Sequence, residues 1–400
     1  MTESISNGTL LQPDPESLEV SVVMPCLNEA DTVVICVQKA LRGLAAAGAV
    51  GEVIVADNGS TDGSRELARK AGARIVSIGE KGYGQALMGG IAAAHGRYVI
   101  MGDADDSYDF EAIPLFMPKL RQGYDLVMGC RLPAGGGSIA PGAMPLLHRL
   151  IGNPLFSFMV RTMFQAPIHD VYCGLRGFSR DFYQTLGLRC TGMEFATEMV
   201  IKASLFNGRI AEAPITLHPD GRKAHAPHLR TFRDGWRTLR FFLMLCPRWL
   251  YLIPGTALSL LGLLGFLLIL PGFSLFGVGI DVHSLLVSSL CLLLGIQTIQ
   301  FGILTKLFAV GEGLLPDLPW LTRFLEVVRL ERTLLVGFVA FLGGLALIGT
   351  AGLIWWRLNF GPLNYPHTLR LVIPGMTLAA LGVQIMLFGF FVDMLRVKHK

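Results

Sequence analysis

Two patterns of apolar positions divide the chain at about Arg248. Beyond it lie four long apolar stretches, roughly Leu250–Phe276, Leu285–Leu304, Leu334–Trp356 and Leu371–Val392. Each meets the ~20 residues that a hydrocarbon core asks of a helix. Four in succession predict membrane spans rather than buried helices of a soluble protein. Pro254 and Pro271 mark where the first could kink or end. Before Arg248, short apolar runs alternate with amphipathic ones. Ser21–Pro25 is expected to form a strand ending in a turn, followed by a helix from about Ala30 to Ala46. Then come a strand at Glu52–Asp57, a turn at Asn58–Gly63, a helix from Ser64 to about Ala71 and a strand at Arg74–Ser77. A helix over Gln85–His95 and strands at Tyr98–Asp103 and Asp125–Cys130 complete the series. Units at this spacing predict a mostly parallel α/β sheet. Ligands of such sheets bind at the carboxyl ends of the strands, where Pro25–Glu29, Asp57 and Asp103 fall.

Residues 228–245 join the two zones. Leu229, Phe232, Trp236, Leu239 and Leu243 recur at helical spacing, with Arg230, Arg233, Arg237 and Arg240 in a parallel row. A helix lying in the headgroup plane has this pattern; a helix packed on the aqueous domain is the alternative. Residues 146–164 form a second, weaker interfacial element, interrupted by Gly152-Asn153-Pro154. The expected organisation is a flexible N-terminus (1–19), an α/β domain (20–226), a juxtamembrane helix (227–248) and a four-span domain (249–400).

Composition agrees with two solvents. The 400 residues are 52% hydrophobic and 16% charged, with a mean hydropathy of +0.51, too apolar for an ordinary soluble enzyme. The net charge of +4 is too small to suggest nucleic acid, and clustered arginines suit a bilayer surface. The seven cysteines are irregularly spaced with no CxxC pair, so they are expected to be reduced and packed as small hydrophobes. Met1–Val20 lacks the basic and apolar regions of a signal peptide, so the first domain is expected in the cytosol. Arginines before the first span, Lys306, Arg323, Arg329 and Arg332 between the second and third, and a basic tail place both termini and the middle loop inside.

The strongest local chemistry is Met101-Gly-Asp103-Ala-Asp105-Asp106. Carboxylates this close repel one another unless a cation intervenes. A divalent metal held by Asp105, with Asp103 on the donor or an ordered water, relieves that repulsion and can bridge a diphosphate. Asp57, at the end of the second strand, can accept hydrogen bonds from a base or ribose. Ser60–Ser64 are accounted for by turn and capping chemistry. Lys81-Gly-Tyr-Gly84 places two glycines and a cation before a helix, which permits close approach of a phosphate or sugar. The histidines of residues 218–228 lack metal-ligand spacing and are expected in a polar loop.

Taken in order, these pieces resemble the family-2, GT-A-fold glycosyltransferases, and more narrowly the dolichyl-phosphate mannosyl- and glucosyltransferase-like group. The resemblance is carried by Val23–Glu29, Val55–Gly63, Asp103-Ala-Asp105, Gly129-Cys-Arg131, Asp170–Phe178, Gly192–Glu198 and Ala213–Thr216 with Gly221-Arg222-Lys223. Ala56-Asp57-Asn58 stands where that family has Asp-Asp-Gly. The resemblance implies a Rossmann-like GT-A domain that transfers a hexosyl group, with inversion, from a nucleotide-sugar to a polyprenyl phosphate of undecaprenyl or dolichyl type. It implies Pro25, Glu29, Asp57 and Asp103 for the nucleotide-sugar, to which the glycine-flanked Lys81 adds a candidate, and Asp103 and Asp105 for Mg2+ or Mn2+. Arg131, Arg222 and Lys223 are implied for phosphates, with Asp170 and Glu198 orienting the sugar or these cations. Three alternatives stay open: transfer to a lipid hydroxyl with Asp170 or Asp106 as base, a polysaccharide synthase, and an inactive scaffold. The synthase reading is weakened because Cys246-Pro-Arg-Trp249 lacks the glutamine of Q-x-x-R-W. Small-residue faces such as Gly343-Gly344 suit a homo-oligomer.

Overall fold

The computed structural model describes residues 18–222, 231–271, 274–275, 278–279 and 282–397. Lys223, Leu229, Arg230, the later histidines of the 218–228 loop and most of the N-terminal segment lie outside the described residues. The chain divides into two compact units, Met1–Phe242 and Leu243–Lys400.

The first unit is built on a seven-stranded sheet. Its strands are β1 (Val20–Cys26), β2 (Gly51–Asp57), β3 (Arg74–Ser77), β4 (Tyr98–Met101) and β5 (Leu126–Cys130), then, after the short β6 (Ser138–Ile139), β7 (Arg176–Ser179) and β8 (Ile210–Pro214). A two-residue β9 (Thr216–Leu217) pairs with β6 outside this sheet. The order is β3-β2-β1-β4-β7-β5-β8. Pairing is parallel except for β7, which runs antiparallel to both β4 and β5. The mostly parallel α/β sheet is therefore present, and it is GT-A-like. Val20, Val22, Val23 and Met24 of β1 are fully buried, as a strand covered on both faces requires. The chain leaves β1 for β2 and β3 on one side and returns through β4 on the other. That reversal opens a crevice at the carboxyl ends of β1 and β4.

Strand β7 has no counterpart in the sequence reading. At four residues containing a glycine, it carries no period-2 signal. Its direction matters for the site. Arg176 pairs with Met101, so residues 170–175 enter the sheet where β4 leaves it, and the Asp170 segment reaches the loop of Asp103. The helices of this unit are α1 (Val33–Ala46), α2 (Ser64–Lys70), α3 (Tyr83–Ala92), α4 (Ile113–Arg121), α5 (Asn153–Phe164), α6 (Arg180–Leu186) and α7 (Glu194–Leu205). Helix α3 begins two residues earlier than the apolar pattern suggested, which brings Tyr83 into its first turn.

Gly152-Asn153-Pro154 does not break the 146–164 element. Gly152 and Asn153 hold helical torsions, and a wider turn over His148–Gly152 runs into α5, with Pro154 in the first turn where its missing N–H costs least. Asn153, Ser157, Val160 and Phe164 face inward, while Leu146, Leu150, Ile151 and Phe158 are exposed. Helix α8 (Thr231–Leu245) follows. Phe242 makes edge contacts of 5.9 Å with Phe156 and Phe164, and Arg237 pairs with Glu194 at 2.9 Å. The buried face of α8 is therefore that of Thr238 and Phe242, and Trp236 of the expected apolar row is exposed.

Among the described residues, the second unit contains four helices long and apolar enough to cross a membrane: Arg248–Ile269, Val282–Gly311, Leu330–Arg357 and Tyr365–Arg396. They correspond to α9 (Ile253–Ile269), with the helical turn before it, α10 (Val282–Gly311), α12 (Leu330–Arg357) and α13 (Tyr365–Val397), with the short α11 (Pro319–Val327) between the middle two. The first is shorter than its apolar run. It ends at Ile269, ahead of Pro271, and Ser274–Leu275 pairs with Val278–Gly279 as an antiparallel hairpin. Small residues recur every seven positions along the seams: Gly255 and Gly262 against Ser288, Gly295 and Leu292, and Gly337 and Gly344 against Gly375, Ala379 and Gly382. A Cβ on Gly344 would lie 2.5 Å from the Ala379 nitrogen and the Gly375 oxygen. A seven-residue repeat keeps such a seam on one side of each helix. Gly344, offered above as an oligomer contact, is thus spent inside the chain.

Candidate active site

The loops after β1 and β2 are stitched together side chain to backbone. The N–H groups of Asn28, Glu29 and Ala30 donate to Ser60 Oγ, Ser64 Oγ and Asp62 Oδ2, each at 2.9 Å. The Thr61 N–H returns a bond to Asn28 Oδ1 at 2.9 Å. Ser60–Ser64 therefore do more than cap a turn: they hold the Pro25–Glu29 loop in place. Asn28 takes a left-handed φ of 60°, which asparagine tolerates. Asp57 is buried, and its oxygens accept the N–H groups of Gly59 and Ser60 at 3.2 and 3.1 Å. Asn58 spans to the next loop: Oδ1 accepts the Gly82 N–H at 2.8 Å and Nδ2 donates to the Glu80 carbonyl at 2.6 Å.

Asp103 and Asp105 follow β4 in the crevice. The Tyr83 hydroxyl donates to Asp103 Oδ1 at 2.9 Å. Burial first, and then the charge of Asp105, pushes the Asp103 carboxyl up to about 6. Asp105 Oδ1 accepts from the N–H and hydroxyl of Ser107, at 3.0 and 2.6 Å. Its Oδ2 meets Arg222 Nη2 at 3.1 Å. That guanidinium also contacts Glu29 Oε1 at 3.2 Å and Asp220 Oδ2 at 2.6 Å. Glu29 and Arg222, far apart in sequence, thus join Asp105 in one charged cluster. The third acid of the run, Asp106, pairs with Lys39 at 2.8 Å. The Ala104 carbonyl accepts the Thr32 hydroxyl at 2.6 Å and the Asp105 carbonyl accepts the Gly221 N–H at 2.9 Å, which fix the acidic loop from both sides.

Arg131 and Asp170 form a buried bidentate pair. Arg131 Nε and Nη2 donate to Asp170 at 2.7 and 2.8 Å, and the Arg131 N–H adds a third bond at 3.0 Å. Burial alone would raise the Asp170 pKa, but the Arg131 charge and hydrogen bonds outweigh it and hold the carboxyl below the ordinary range. Arg131 Nη1 reaches the Tyr108 hydroxyl at 3.2 Å, which also accepts the Gly174 N–H at 2.8 Å. Arg131 therefore gives its fork to Asp170 and keeps only its charge for a ligand. Arg176, fully buried, donates to the carbonyls of Val171, Cys173 and Ala196 and holds the 171–173 turn against α7.

Two expectations are corrected. Glu198 engages neither Arg131 nor Arg222 among the described residues. Its carboxylate pairs with the buried Lys202 at 3.1 Å and accepts the N–H groups of Arg189 and Cys190 at 3.0 and 2.8 Å. The glycines of Lys81-Gly-Tyr-Gly84 admit backbone rather than ligand. A Cβ on Gly82 would lie 2.5 Å from the Thr191 oxygen, and one on Gly84 2.5 Å from the Cys190 oxygen. Lys81 itself is exposed. Tyr83, Tyr108, Asn58 and Asp220 were missed, although Tyr83 lies inside the motif already singled out. All seven cysteines are free.

Among the described residues, no three or more His, Cys, Asp or Glu side chains form a metal-ligating group. The fit for a divalent ion thus rests on two carboxylates, Asp103 and Asp105; burial first, and then the neighbouring Asp105 charge, raises the Asp103 pKa, so its ionised form gains from an added cation. Mg2+ is commonly held by one or two carboxylates, with substrate phosphates and water completing its shell. The donor set fits on those terms.

Residues 21–187 match the family described as Glycosyl transferase family 2, and residues 303–396 match the Glycosyltransferase family 2 C-terminal transmembrane region. The low-salt glycan biosynthesis hexosyltransferase Agl6 of Haloferax volcanii is 37% identical over 373 residues, covering 93% of this chain and 87% of that protein. A dolichyl-phosphate hexose transferase of the same organism is 32% identical over 185 residues, 46% of this chain and 76% of that protein. The undecaprenyl-phosphate 4-deoxy-4-formamido-L-arabinose transferase of Salmonella paratyphi B is 29% identical over 299 residues, 73% of this chain and 82% of that protein. The chain belongs to glycosyltransferase family 2 and is a hexosyltransferase carrying that family's C-terminal transmembrane region.

Proposed function

We propose that this enzyme transfers a hexosyl group from a UDP- or GDP-sugar to a polyprenyl phosphate at the cytoplasmic face of the membrane. The observation that carries the reading is the acidic pair of half-buried Asp103 and buried Asp105 on a polypeptide that also holds four spans. A site for a diphosphate-bound cation and a lipid-facing domain then belong to one chain. The relatives named for dolichyl and undecaprenyl phosphates support the acceptor class. The arginines before the first span and the basic loop between the second and third support an inside-facing catalytic unit. In functional terms the chain divides into a transferase domain (20–226), a juxtamembrane helix (227–248) and a membrane domain (249–400).

In the reaction, an acceptor phosphate oxygen attacks the anomeric carbon from the face opposite the leaving group. The carbon–oxygen bond to the nucleoside diphosphate breaks, and the configuration inverts. A phosphate monoester is already ionised near neutral pH, so no protein base is required. The acids considered as bases for a hydroxyl acceptor support this choice: Asp170 is committed to Arg131 and Asp106 to Lys39. A bound Mg2+ or Mn2+ would neutralise the leaving diphosphate. Asp103 and Asp105 would hold that ion, and Asp57, Glu29, Lys81 and the Pro25 turn would line the nucleotide-sugar. Arg131 supplies fixed positive charge. Arg222, beside Asp105, would offer its guanidinium to the phosphates, together with Lys223 of the same motif. Catalysis is then positioning and charge stabilisation.

Purified enzyme should release nucleotide from one UDP- or GDP-sugar only when a polyprenyl phosphate is present, and mass spectrometry should find the sugar on that lipid. Release that is indifferent to the lipid phosphate, or that is driven equally by a lipid alcohol, would remove this acceptor.

A further inference from the structure

Glu198 and Lys202 are both almost completely buried, and their pairing has no part in the reaction described above. A buried ion pair is costly to desolvate, and removing one partner strands an uncompensated charge. Glu198 Oε2 takes the N–H groups of Arg189 and Cys190, and Lys202 Nζ donates to the Gly187 carbonyl at 2.7 Å. The pair thereby ties down both ends of the 187–190 loop. The next carbonyl, that of Thr191, accepts the Gln85 N–H at 3.0 Å. The Thr191 and Cys190 carbonyls also occupy the space that a Cβ would need on Gly82 and Gly84. Gly82, with a φ of 144°, is held on its other side by Asn58. The first turn of α3 is clamped between these two supports. The single side chain it sends to the acidic loop is Tyr83, whose hydroxyl meets Asp103 Oδ1 at 2.9 Å.

We propose that the Glu198–Lys202 pair, the 187–191 loop and the Gly82-Tyr83-Gly84 turn form a positioning relay that aims Asp103 at the sugar donor. The Tyr83 hydroxyl is its contact with the site. Glu198, which the motif order had placed at the acceptor, acts instead on the donor side through two backbone segments. One oxygen of Asp103 is fixed by the phenol, leaving the other for the donor or its cation. A hydrogen bond to a metal-ligating carboxylate sets its direction, and loss of such a bond typically costs about 10- to 100-fold in affinity or activity. The relay rests on the proposed role of Asp103 in the donor site, so its test must separate the two.

The full-length enzyme in detergent would be compared with Tyr83→Phe, Gly84→Ala, the double variant, Glu198→Gln and Asp103→Asn. Calorimetry would measure Mn2+ affinity, and nucleotide release would give kcat and KM for the nucleotide-sugar that the wild type uses. Tyr83→Phe should lose about tenfold in Mn2+ affinity and in kcat, with its melting temperature near that of the wild type. Gly84→Ala and Glu198→Gln should lose a similar factor although Tyr83 is intact. The decisive result is the double variant: if Gly84 acts through Tyr83, Tyr83→Phe/Gly84→Ala is no worse than the weaker single variant. Multiplying losses, or a Tyr83→Phe enzyme equal to wild type in both Mn2+ binding and kcat, would overturn the relay. If Asp103→Asn binds Mn2+ as the wild type does, the metal reading fails. The relay is then decided by non-additivity in kcat alone. Should Gly84→Ala or Glu198→Gln not fold, Asn58→Ala combined with Tyr83→Phe gives the same cycle from the other clamp.

Discussion

Two arginine–carboxylate clusters stand in the catalytic unit, and they are built differently. Arg131 and Asp170 are buried at 6% and 0% exposure, joined by a bidentate bridge and a backbone N–H, with Tyr108 on the remaining nitrogen. Every strong bond of that pair is to another part of the protein. Arg222 is more accessible, with 14% of its side chain exposed, and faces three carboxylates from three separate segments: Glu29, Asp105 and Asp220. A guanidinium facing three acids leaves negative charge over, which the proposed cation at Asp103 and Asp105 would meet. The first cluster is architecture; on the proposed reading, the second is exchangeable.

The largest effect should come from Asp105, which the second cluster shares with the proposed donor site. Asp105→Asn should leave a folded protein whose transfer rate falls by at least about 10³, since it removes charge stabilisation of the leaving group; near-normal turnover would remove Asp105 from the site. Asp170→Asn should instead lower stability by about 3 to 5 kcal/mol, because it strands a buried guanidinium, and added Mn2+ should not restore it in a denaturation titration. Acidification sharpens the contrast further. With Asp103 pushed up to about 6, Mn2+ affinity should fall by up to about tenfold per unit as the pH drops below that value. The metal-free protein should meanwhile gain stability from this group as pH falls from 6 towards 3.8, because the folded state binds the proton more readily than the unfolded chain. A Mn2+ affinity that stays flat from pH 7 to 5, where these titrations would be run, contradicts the assignment. Arg222→Ala should have the smallest effect, a loss of about 1 to 2 kcal/mol in EDTA. Unlike Asp170→Asn, it should be rescued by Mn2+ and should bind that ion more tightly without donor. Weaker Mn2+ binding by Arg222→Ala would mean that the two clusters do not differ in this way.

The motifs on Pro25–Glu29, Asp57 and Asp103-Ala-Asp105 were legible because each follows an apolar strand that fixes its side of the sheet. Their partners were not. Tyr83 sat within a glycine motif whose glycines suggested a ligand, when the approaching group was the protein's own 190–191 backbone. Glu198 lay in a family motif, yet its buried partner Lys202 is invisible to a reading that expects lysines at the surface. Trp236 belongs to the apolar row read for the headgroup plane and is exposed, whereas the side of α8 that packs on its neighbours is set by Phe156 and Phe164 from another helix.

Local pattern was enough to establish the alternating α/β unit, the four spans and the acidic pair, because strand period, span length and charge density are properties of consecutive residues. It could not supply the antiparallel insertion of β7, which brings Asp170 beside Arg131, nor the return of Arg222 onto Glu29 and Asp105. Those pairings depend on which chain segments the sheet order brings to one edge, and no run of neighbouring residues encodes a distance between segments 40 or 190 positions apart, the reach of the bonds from Arg131 to Asp170 (39) and from Arg222 to Glu29 (193).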